Sequence, residues 1–578
     1  MLLKSILALP TLLGDLLSWG YSLRVPEQQT LQVHQSPKRV AVIGAGTSGL
    51  SFLKVVKDYK EEYDLDWDVV LFEKRHDVGG IWLKQEEKPG PDRASSGCLP
   101  ETPLYPGVST STPNPYNTLP GLPFPPGFDL YLPEQEMYNY HRNLFEIVLK
   151  KDFEQKIKWQ HEVTKARWVG TAESGQWELT IQTPKSGGSA QRFRSSFSAA
   201  CTPESGKETI QEKFDHLIVA VGQTAYPRTD KPPGMDKWLS KNYENSTLPR
   251  QIQHSMYYMS PKSYAGRTVL VAGAGGAGED VARDVRRRAK KVYIARSSTN
   301  PCPRASDPTP VGRLTHFEED AVCFDGGTGC KDDIDSVILA IGYETKIPFL
   351  MTGGALMEHR ESVSCDTSDI DDPKLSTNGN YIRPLYKHTM SLSSDFPPDS
   401  LFILGLPRDF PPALLAVAQS IFATRVIKDK SLVDRDALFR ELVYEEKRQC
   451  SKCEGQEERC KFDPFQLGHR LVEVAERDEF NVLMNGLIDV LKQKCATELP
   501  PLPGTGDRFV DDRRLRVNRR SMIPRIKCYW DNLEDDEREK LLKGRVNEDA
   551  WFKLVNDLIV LSDPMNQCKK ATGGIQDV

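Results

Sequence analysis

Two glycine-rich segments of the same pattern constrain the fold of this chain more than any other feature. Each follows a short apolar run and precedes a helix-like stretch, and they span Gly44–Gly49 and Gly273–Gly278. In such a strand–turn–helix unit the first two glycines allow a tight turn near a pyrophosphate, and the third allows close helix packing. The phosphates then meet the free N–H groups and the positive dipole end of the helix. Two copies predict an α/β fold that holds two dinucleotides.

The residues predicted to contact the two cofactors share positions on the turns or at the helix starts. They are Gly44, Gly46, Thr47, Ser48, Gly49, Gly273, Gly275, Gly276 and Gly278. A chain that holds two dinucleotides is typical of enzymes in which a nicotinamide reduces a flavin.

The residue after the second strand of each unit distinguishes the two cofactors. Glu73 ends the apolar strand Trp67–Glu73, about 20 residues after the first turn, where a carboxylate accepts hydrogen bonds from ribose hydroxyls. The matching strand of the second unit, Lys291–Ala295, is followed by Arg296, and a guanidinium suits a 2′-phosphate. The first unit is therefore predicted to hold FAD or NAD but not NADP, and the second NADPH. A flavin reduced by a nicotinamide then requires FAD in the first unit. The alternatives are a surface glutamate and a solvated arginine beside a basic helix.

A second duplication predicts how each unit closes. Asp215–Gly222 and Asp335–Gly342 share an aspartate, an apolar run and a final Ala-x-Gly, which is typical of a buried parallel strand. We therefore expect two Rossmann-like dinucleotide-binding domains, the first interrupted by the second, followed by a helical C-terminal extension. The expected boundaries are 1–37 for an apolar N-terminal segment, 38–235 and 336–430 for the FAD domain, 236–335 for the NADPH domain and 431–578 for the extension.

These residues resemble the flavin-containing monooxygenases, which are FAD- and NADPH-dependent enzymes that oxygenate nitrogen and sulfur. The resemblance covers about residues 38 to 430, and it depends on the two turns together with three further segments. These are Glu73–Arg75 followed by Val78–Trp82, Leu130–Phe145, and Ala340–Tyr343. The resemblance implies that Lys74, Gly80, Trp82 and Gly342 contact the cofactors. It also implies that the helix within 411–426 starts near the flavin, where Gln419 is predicted to face the cavity.

The chain departs from the family pattern at two places. In the fingerprint upstream of the second turn His254 and Tyr258 fit, whereas Leu248 and Arg250 replace a phenylalanine and a glycine. Ser111 stands where the family places an asparagine beside the flavin, and serine has a shorter reach and one donor fewer. His254 is interpreted as a proton relay, as a hydrogen-bonding residue near the nicotinamide, or as a structural histidine at a domain crossing.

The resemblance implies a reaction that needs few catalytic side chains. Relatives reduce FAD with NADPH and form a flavin hydroperoxide with O2, which then transfers one oxygen atom to a soft nitrogen or sulfur of a small molecule. The cofactor supplies this chemistry, and the protein supplies placement and exclusion of water. Ser111 and His254 are the residues predicted to act in catalysis, and no metal site is predicted.

Three alternatives to this function are open. Because Ser111 replaces asparagine, the chain is also compatible with an uncoupled NADPH oxidase that produces H2O2. A Baeyer–Villiger oxygenase of the same fold is less favoured, since the longer fingerprint that ends in tryptophan is absent. The last alternative is a non-catalytic flavoprotein that serves as a binding module for a partner. The intact turns, Glu73 and Arg296 argue against it.

The overall composition limits the partners that we expect, and the N-terminal segment bears on the cellular location. A net charge of −5 and a pI near 6.1 argue against nucleic acid as a partner, and the mean hydropathy is −0.48. The leucine-rich start, 1–17, is interpreted as a signal peptide, a peripheral membrane anchor or an amphipathic helix, so secretory and cytoplasmic locations both stand open.

One cysteine cluster allows several interpretations. Cys450, Cys453 and Cys460 lie near His469, which leaves zinc, a disulfide or ordinary thiols as alternatives, with ordinary thiols favoured.

Overall fold

The computed structural model describes residues 37–90, 98–184, 207–241, 248–296, 308–358, 365, 371, 373–408, 412–452, 463–470, 479–494, 509–510 and 522–563. The strands are β1 (Lys38–Ile43), β2 (Trp67–Glu73), β3 (Ile157–Trp159), β4 (Glu162–Gly170), β5 (Gly175–Pro184), β6 (Lys207–Phe214), β7 (His216–Val219), β8 (Tyr226–Pro227), β9 (Gln251–His254), β10 (Thr268–Ala272), β11 (Lys291–Ala295), β12 (Thr309–Val311), β13 (Leu314–Phe317), β14 (Val322–Phe324), β15 (Gly329–Lys331), β16 (Ser336–Leu339), β17 (Tyr343–Glu344), β18 (Met357–Glu358), β19 (Ser376–Thr377), β20 (Ile382–Arg383), β21 (Leu385–Tyr386), β22 (Met390–Ser391) and β23 (Leu401–Ile403).

The α-helices are α1 (Thr47–Tyr59), α2 (Glu134–Asn143), α3 (Lys150–Phe153), α4 (Met235–Ser240), α5 (Gly276–Arg286), α6 (Pro348–Thr352), α7 (Pro412–Lys428), α8 (Arg435–Ser451), α9 (Pro464–Leu467), α10 (Glu479–Lys494), α11 (Met522–Asp531), α12 (Asp535–Leu542) and α13 (Glu548–Leu561). A π-helical segment, Leu144–Leu149, follows α2, and short 3-10 helices include Gly80–Trp82 and Asn114–Tyr116.

The first glycine turn lies at the edge of a seven-stranded sheet. Its strand order is β21–β22–β23–β7–β1–β2–β3, and β23, β7, β1, β2 and β3 run parallel. One face packs on α1, α7 and α10, and the other packs on the antiparallel sheet β4–β5–β6. Both faces are therefore covered, which explains the uninterrupted apolar runs 40–43 in β1 and 217–219 in β7. Helix α7 is buried along nearly its whole length for the same reason.

The second turn lies in a separate five-stranded parallel sheet with the order β12–β11–β10–β16–β9. The strand Ser336–Leu339 pairs with β10 on one side and β9 on the other. The expected boundary between residues 335 and 336 is therefore corrected, because this strand closes the second sheet. The two-stranded contact of β17 with β8 then returns the chain to the first unit. The other domain boundaries stay predictions.

The helices after residue 431 pack against the rest of the chain at two places. Helix α8 is joined to β20 by the buried ion pair of Glu446 with Arg383, in which the guanidinium Nη2 lies 3.0 Å from the carboxylate. Helix α13 packs on the loop before α2, where Phe552 and Tyr116 meet edge to face at 5.4 Å. The sequence pattern predicts amphipathic helices at Asp434–Lys447, Phe480–Lys494, Glu534–Leu542 and Asp549–Val560. Helices α8, α10, α12 and α13 agree with these segments within a few residues, whereas α11 was not expected.

The predicted fold class, two Rossmann-like units with a helical C-terminal region, is confirmed. Within the described ranges, no helix combines the length and the apolar character that crossing a bilayer requires. The N-terminal segment 1–36 lies outside the described residues. The sequence pattern also predicts a helix at 469–475, and most of that segment lies outside the described residues as well.

Candidate dinucleotide sites

The first turn has no room for side chains at its first and last glycines. Gly44 has a φ of +107°, and a Cβ there would lie 2.6 Å from the carbonyl oxygen of Ala220. A Cβ on Gly49 would lie 1.9 Å from the carbonyl oxygen of Gly44. The N-cap of α1, Gly46, has no side chain that could satisfy the first N–H groups of the helix. These donors are therefore suited to binding an anion.

The second turn repeats this geometry in the other sheet. Gly273 has a φ of +116°, and a Cβ there would lie 2.3 Å from the carbonyl oxygen of Ala340. A Cβ on Gly278 would lie 1.9 Å from the carbonyl oxygen of Gly273. Between them, Gly275 and Gly276 face open space. In both units, the alanine that follows the closing strand packs against the first glycine of the turn: Ala220 against Gly44, and Ala340 against Gly273.

Gly80 lies against the first turn without an intervening side chain. A Cβ on Gly80 would lie 3.0 Å from the Cα of Gly46, and the N–H of Gly79 donates to the carbonyl of Ala45 at 3.0 Å. A ligand can therefore approach the two backbones together. Trp82, two residues further on, is half-buried against a small apolar cluster, and Lys74 is exposed.

Glu73 organises the first turn through backbone contacts. Its carboxylate accepts hydrogen bonds from the N–H of Ala45 at 2.7 Å and from the N–H of Arg75 at 2.8 Å. The buried Arg75 guanidinium donates to the carbonyl of Gly80 at 2.9 Å and pairs with Glu101 at 2.9 Å. A carboxylate has further acceptor sites, so these contacts orient Glu73 without using all of its lone pairs. The predicted contact with ribose stays a prediction.

Thr47 has a partner that sequence reasoning missed. The ring of His141 on α2 lies with Nδ1 2.7 Å from the carbonyl of Met137 and Nε2 2.8 Å from the hydroxyl of Thr47. Nδ1 must therefore carry the proton, and the Thr47 hydroxyl donates to Nε2. Burial lowers the pKa of His141 to about 4, so the ring is neutral at physiological pH. A lone histidine within a polar helix gave no signal of this contact.

His254 is engaged at both ring nitrogens. Its Nδ1 accepts a hydrogen bond from the N–H of Met256 at 3.0 Å, and its Nε2 lies 2.9 Å from the carbonyl of Gly342. Nε2 is thus the donor, and burial lowers the pKa of the ring to about 4. This geometry favours the structural interpretation over the proton relay, because His254 fastens β9 to the turn that ends the second unit.

Gln419 does not direct its amide into a cavity, which corrects the expectation. The side chain is fully buried, its Oε1 accepts from the N–H of Gly405 at 2.9 Å, and its Nε2 donates to Thr389 at 2.9 Å. Gly405 has a φ of +78° and lies close to Ser48. Gln419 therefore supports the end of β23 behind the first turn.

Arg296 and Glu279 form an ion pair at the second turn. The guanidinium Nη2 lies 3.0 Å from the carboxylate Oε1, and the Arg296 side chain is only 7% exposed. Arg296 follows β11 and Glu279 lies in the first turn of α5, so both stand at the same sheet edge as the glycines. The sequence predicted Arg296 here but gave no role to Glu279.

Ser111 lies on the irregular segment before α2. It is exposed, whereas its neighbour Thr110 is buried and fixes the loop by accepting a hydrogen bond from the N–H of Leu132 at 3.0 Å. The loop is held again by the bridge between Ser109 and Pro133. Ser111 is therefore accessible, on a loop that these two contacts connect to the start of α2.

Lys88 joins the two units and was also missed. Its ammonium donates to the carbonyls of Met256 at 2.8 Å, Tyr258 at 3.1 Å and Pro103 at 3.3 Å. Since Met256 also contacts His254, this lysine restrains the segment that carries the histidine. Its partners are backbone carbonyl groups, which every residue has, so the sequence gives no pattern that would identify this lysine.

The cysteine cluster is resolved in part. Cys450 forms a disulfide with Cys365, which corrects the expectation of an ordinary thiol. His469 accepts from the N–H of Ile382 through Nε2 and contacts His388 through Nδ1, so neither nitrogen is free for zinc. Cys453 and Cys460 lie outside the described residues.

One further group brings possible metal ligands together. It consists of His316, Glu318 and Cys323, and Cys323 is bonded to Cys330 in a disulfide. A disulfide sulfur is not the thiolate that metals bind, so the group is not a metal centre.

Comparisons with known proteins identify the family. Residues 37–302 match the family described as flavin-binding monooxygenase-like. The flavin-containing monooxygenase FMO GS-OX3 of Arabidopsis thaliana is 27% identical over 388 residues, which cover 64% of this chain and 69% of that protein. Dimethylaniline monooxygenase [N-oxide-forming] 2 of Macaca mulatta is 28% identical over 262 residues, covering 45% and 39%. Residues 37–302 therefore match the flavin-containing monooxygenase family, and the chain is similar to its members.

A solved structure supports the fold of this monooxygenase. The S-allyl-L-cysteine S-oxygenase from Allium sativum superposes with a TM-score of 0.62 at 19% identity, covering 91% of this chain and 99% of that one. The predictions of an enzyme of the flavin-dependent monooxygenase class, with FAD and NADPH as cofactors, are confirmed. The two glycine turns fit these groups, because Gly46, Gly275 and Gly276 place no side chain over the N–H groups at the start of each helix.

Proposed function

We propose that this monooxygenase binds FAD at the first turn and NADPH at the second, and oxygenates a soft nitrogen or sulfur atom of a small molecule. The overall reaction consumes NADPH, a proton and O2, and it yields NADP+, water and the oxygenated product. The observation that carries the proposal is the repeat of one turn geometry in two sheets. Glu73 ends β2 of one unit and Arg296 follows β11 of the other, and these are the positions at which we expect contact with the two ribose groups.

The proposed roles follow from position. The N–H groups at the start of α1, at Thr47 and Ser48, bind the FAD pyrophosphate, and Glu73 accepts from a ribose hydroxyl. The open turn at Gly275 and Gly276 binds the NADPH pyrophosphate. The bound flavin supplies the hydride acceptor and the activation of O2.

The remaining site residues position or shield these groups. His254 and Gln419 hold the Gly342 and Gly405 turns beside the two sites, through contacts of 2.9 Å each. The fixed loop that carries Ser111 is proposed to cover the flavin and exclude water. In this proposal Ser111 takes the place of the asparagine that the family has beside the flavin.

A second candidate function is uncoupled NADPH oxidation, which releases H2O2. The observation that favours it is Ser111, which is exposed and has no hydrogen bond to another described residue. A serine in place of asparagine provides one donor fewer to hold an oxygenated cofactor.

The two candidates are distinguished by stoichiometry. The purified chain, loaded with FAD, is incubated with NADPH and either methyl phenyl sulfide or N,N-dimethylaniline, and product, H2O2 and NADPH are quantified together. A product-to-NADPH ratio near one with either probe supports the monooxygenase. H2O2 equal to the NADPH consumed supports the oxidase, and no oxidation of NADPH contradicts both.

A further inference from the structure

Glu279 occupies a position next to the second glycine turn at which its side chain reaches the neighbouring strand end. It directly follows Gly278 in the first turn of α5. The strands β10 and β11 are parallel neighbours with Ala272 opposite Ala295, so Arg296 begins beside the turn. This placement explains the contact of 3.0 Å between the two charged groups.

The arginine of this ion pair is more deeply buried than the glutamate. The Arg296 side chain is 7% exposed and the Glu279 side chain 21% exposed. The Nε of Arg296 is buried and has no hydrogen-bond partner in the part of the chain that the structure describes. Arg283 lies on the other side of the carboxylate at 4.0 Å. Glu279 thus neutralises a guanidinium that still has an unused donor.

The first unit shows that the turn itself does not need an acid at this place. The residue that follows its last glycine is Leu50, which is fully buried. In that unit the carboxylate belongs to Glu73, at the strand end. The second unit has the opposite arrangement, with a cation at the strand end and the carboxylate on the helix.

We infer that Glu279 is a specificity-determining residue, whose carboxylate competes with the 2′-phosphate of NADPH for Arg296. The inference rests on the proposed function, in which NADPH binds at the second turn. A phosphate that contacts the guanidinium has to displace the carboxylate or accept its repulsion. NADH has no such phosphate and leaves the pair intact. Glu279 therefore lowers the preference of the enzyme for NADPH over NADH.

The test is calorimetric titration of the FAD-loaded enzyme with NADP+ and with NAD+, which measures binding without turnover. Glu279→Gln removes the charge and keeps the size of the side chain. We expect the Kd for NADP+ to fall about tenfold, which corresponds to ~1.4 kcal/mol, and that for NAD+ to change less than about twofold. An equal change for both nucleotides, or no change, overturns the inference.

A matched control is Glu178→Gln. Glu178 is also 21% exposed and contacts Arg167 at 2.7 Å, but it lies on β5 in a different sheet. This variant is expected to leave both dissociation constants unchanged. A shift of the same size in Glu178→Gln would show that net charge alone causes the effect, and it would also overturn the inference.

Arg296→Gln separates failure of the inference from failure of the proposed function. If this variant leaves NADP+ binding unchanged, Arg296 does not contact the phosphate and the proposed site is wrong. If it weakens NADP+ binding while Glu279→Gln has no selective effect, only the inference fails. Glu279→Asp is the second variant in case the glutamine variant does not fold. It shortens the side chain by one methylene and is expected to shift NADP+ binding in the same direction by less.

Discussion

The carbonyl oxygen of Gly44 lies 1.9 Å from the point that a Cβ on Gly49 would occupy, and Gly273 and Gly278 repeat the relationship at the same distance. The last glycine of each turn is therefore required by the packing of helix on strand. Gly275 faces open space, so its lack of a side chain is not explained by packing. The two kinds of glycine should respond differently to substitution.

Gly275→Ala is expected to separate binding from stability. Its Cβ meets no protein atom within 4 Å, so the melting temperature should stay within about 2 °C of that of the wild type. The added methyl group should weaken NADP+ binding about tenfold or more while FAD content is retained. Gly278→Ala is the comparison, and it should lower the free energy of unfolding by roughly 1–3 kcal/mol. Unchanged NADP+ binding in Gly275→Ala would show that this turn does not hold the pyrophosphate.

His254 should make stability depend on pH. Burial lowers its pKa from about 6.5 when unfolded to about 4 when folded, so the unfolded chain binds the proton first as pH falls. The stabilising contribution is complete above about pH 6.5 and is lost on the way to pH 4, with an upper size of roughly 3 kcal/mol. His254→Asn keeps an acceptor for the N–H of Met256 and removes the titration.

The measurement is denaturant unfolding of wild type and His254→Asn between pH 7.5 and 5. The variant is expected to be less stable at pH 7.5 because the contact with Gly342 is lost, and the difference should shrink as pH falls. His316→Asn, on a different sheet and half-exposed, is the control. A constant difference at all pH values would contradict the assignment of the neutral ring.

Ser111→Asn is expected to raise coupling in the proposed reaction. The longer amide adds a donor at an accessible position on a loop that Thr110 holds in place. The fraction of NADPH recovered as H2O2 should fall by about twofold or more, while the rate of flavin reduction stays the same, because added hydrogen bonds act after reduction. Ser109→Asn, two residues away on the same loop, is the control. An increase in H2O2 would argue against a role of Ser111 beside the flavin.

The disulfide of Cys365 with Cys450 should stabilise the attachment of α8. The two residues are 85 positions apart, so closing this loop restricts the unfolded chain strongly. Cys450→Ser is expected to lower the free energy of unfolding by about 2–4 kcal/mol under oxidising conditions. Under reducing conditions the variant and the wild type should unfold alike. A difference that persists after reduction would mean that the serine itself perturbs the packing.

The local patterns predicted much of the architecture because they depend on short-range physics. The strands Trp67–Glu73 and Lys291–Ala295 were predicted with their observed bounds, since apolar runs between turn residues fit buried parallel strands. The glycine pattern predicted both turns for the same reason. The boundary at residue 335 was wrong because a strand can close either sheet, and only pairing partners decide which one.

Side-chain partners depended on contacts between distant segments. His254 and Gln419 looked available for chemistry in the sequence, yet backbone groups 88 and 14 residues away engage them. Cys450 likewise found a partner across 85 residues. No local signal encodes such pairings.

The sequence by itself determined that the chain contains two dinucleotide turns, with an acid after one second strand and an arginine after the other. These features follow from residue types at fixed spacing, which fix backbone turns and charge. The tertiary structure decided what those charges face. Parallel pairing of β10 with β11 brings Arg296 to the start of α5, and there it meets Glu279 rather than solvent.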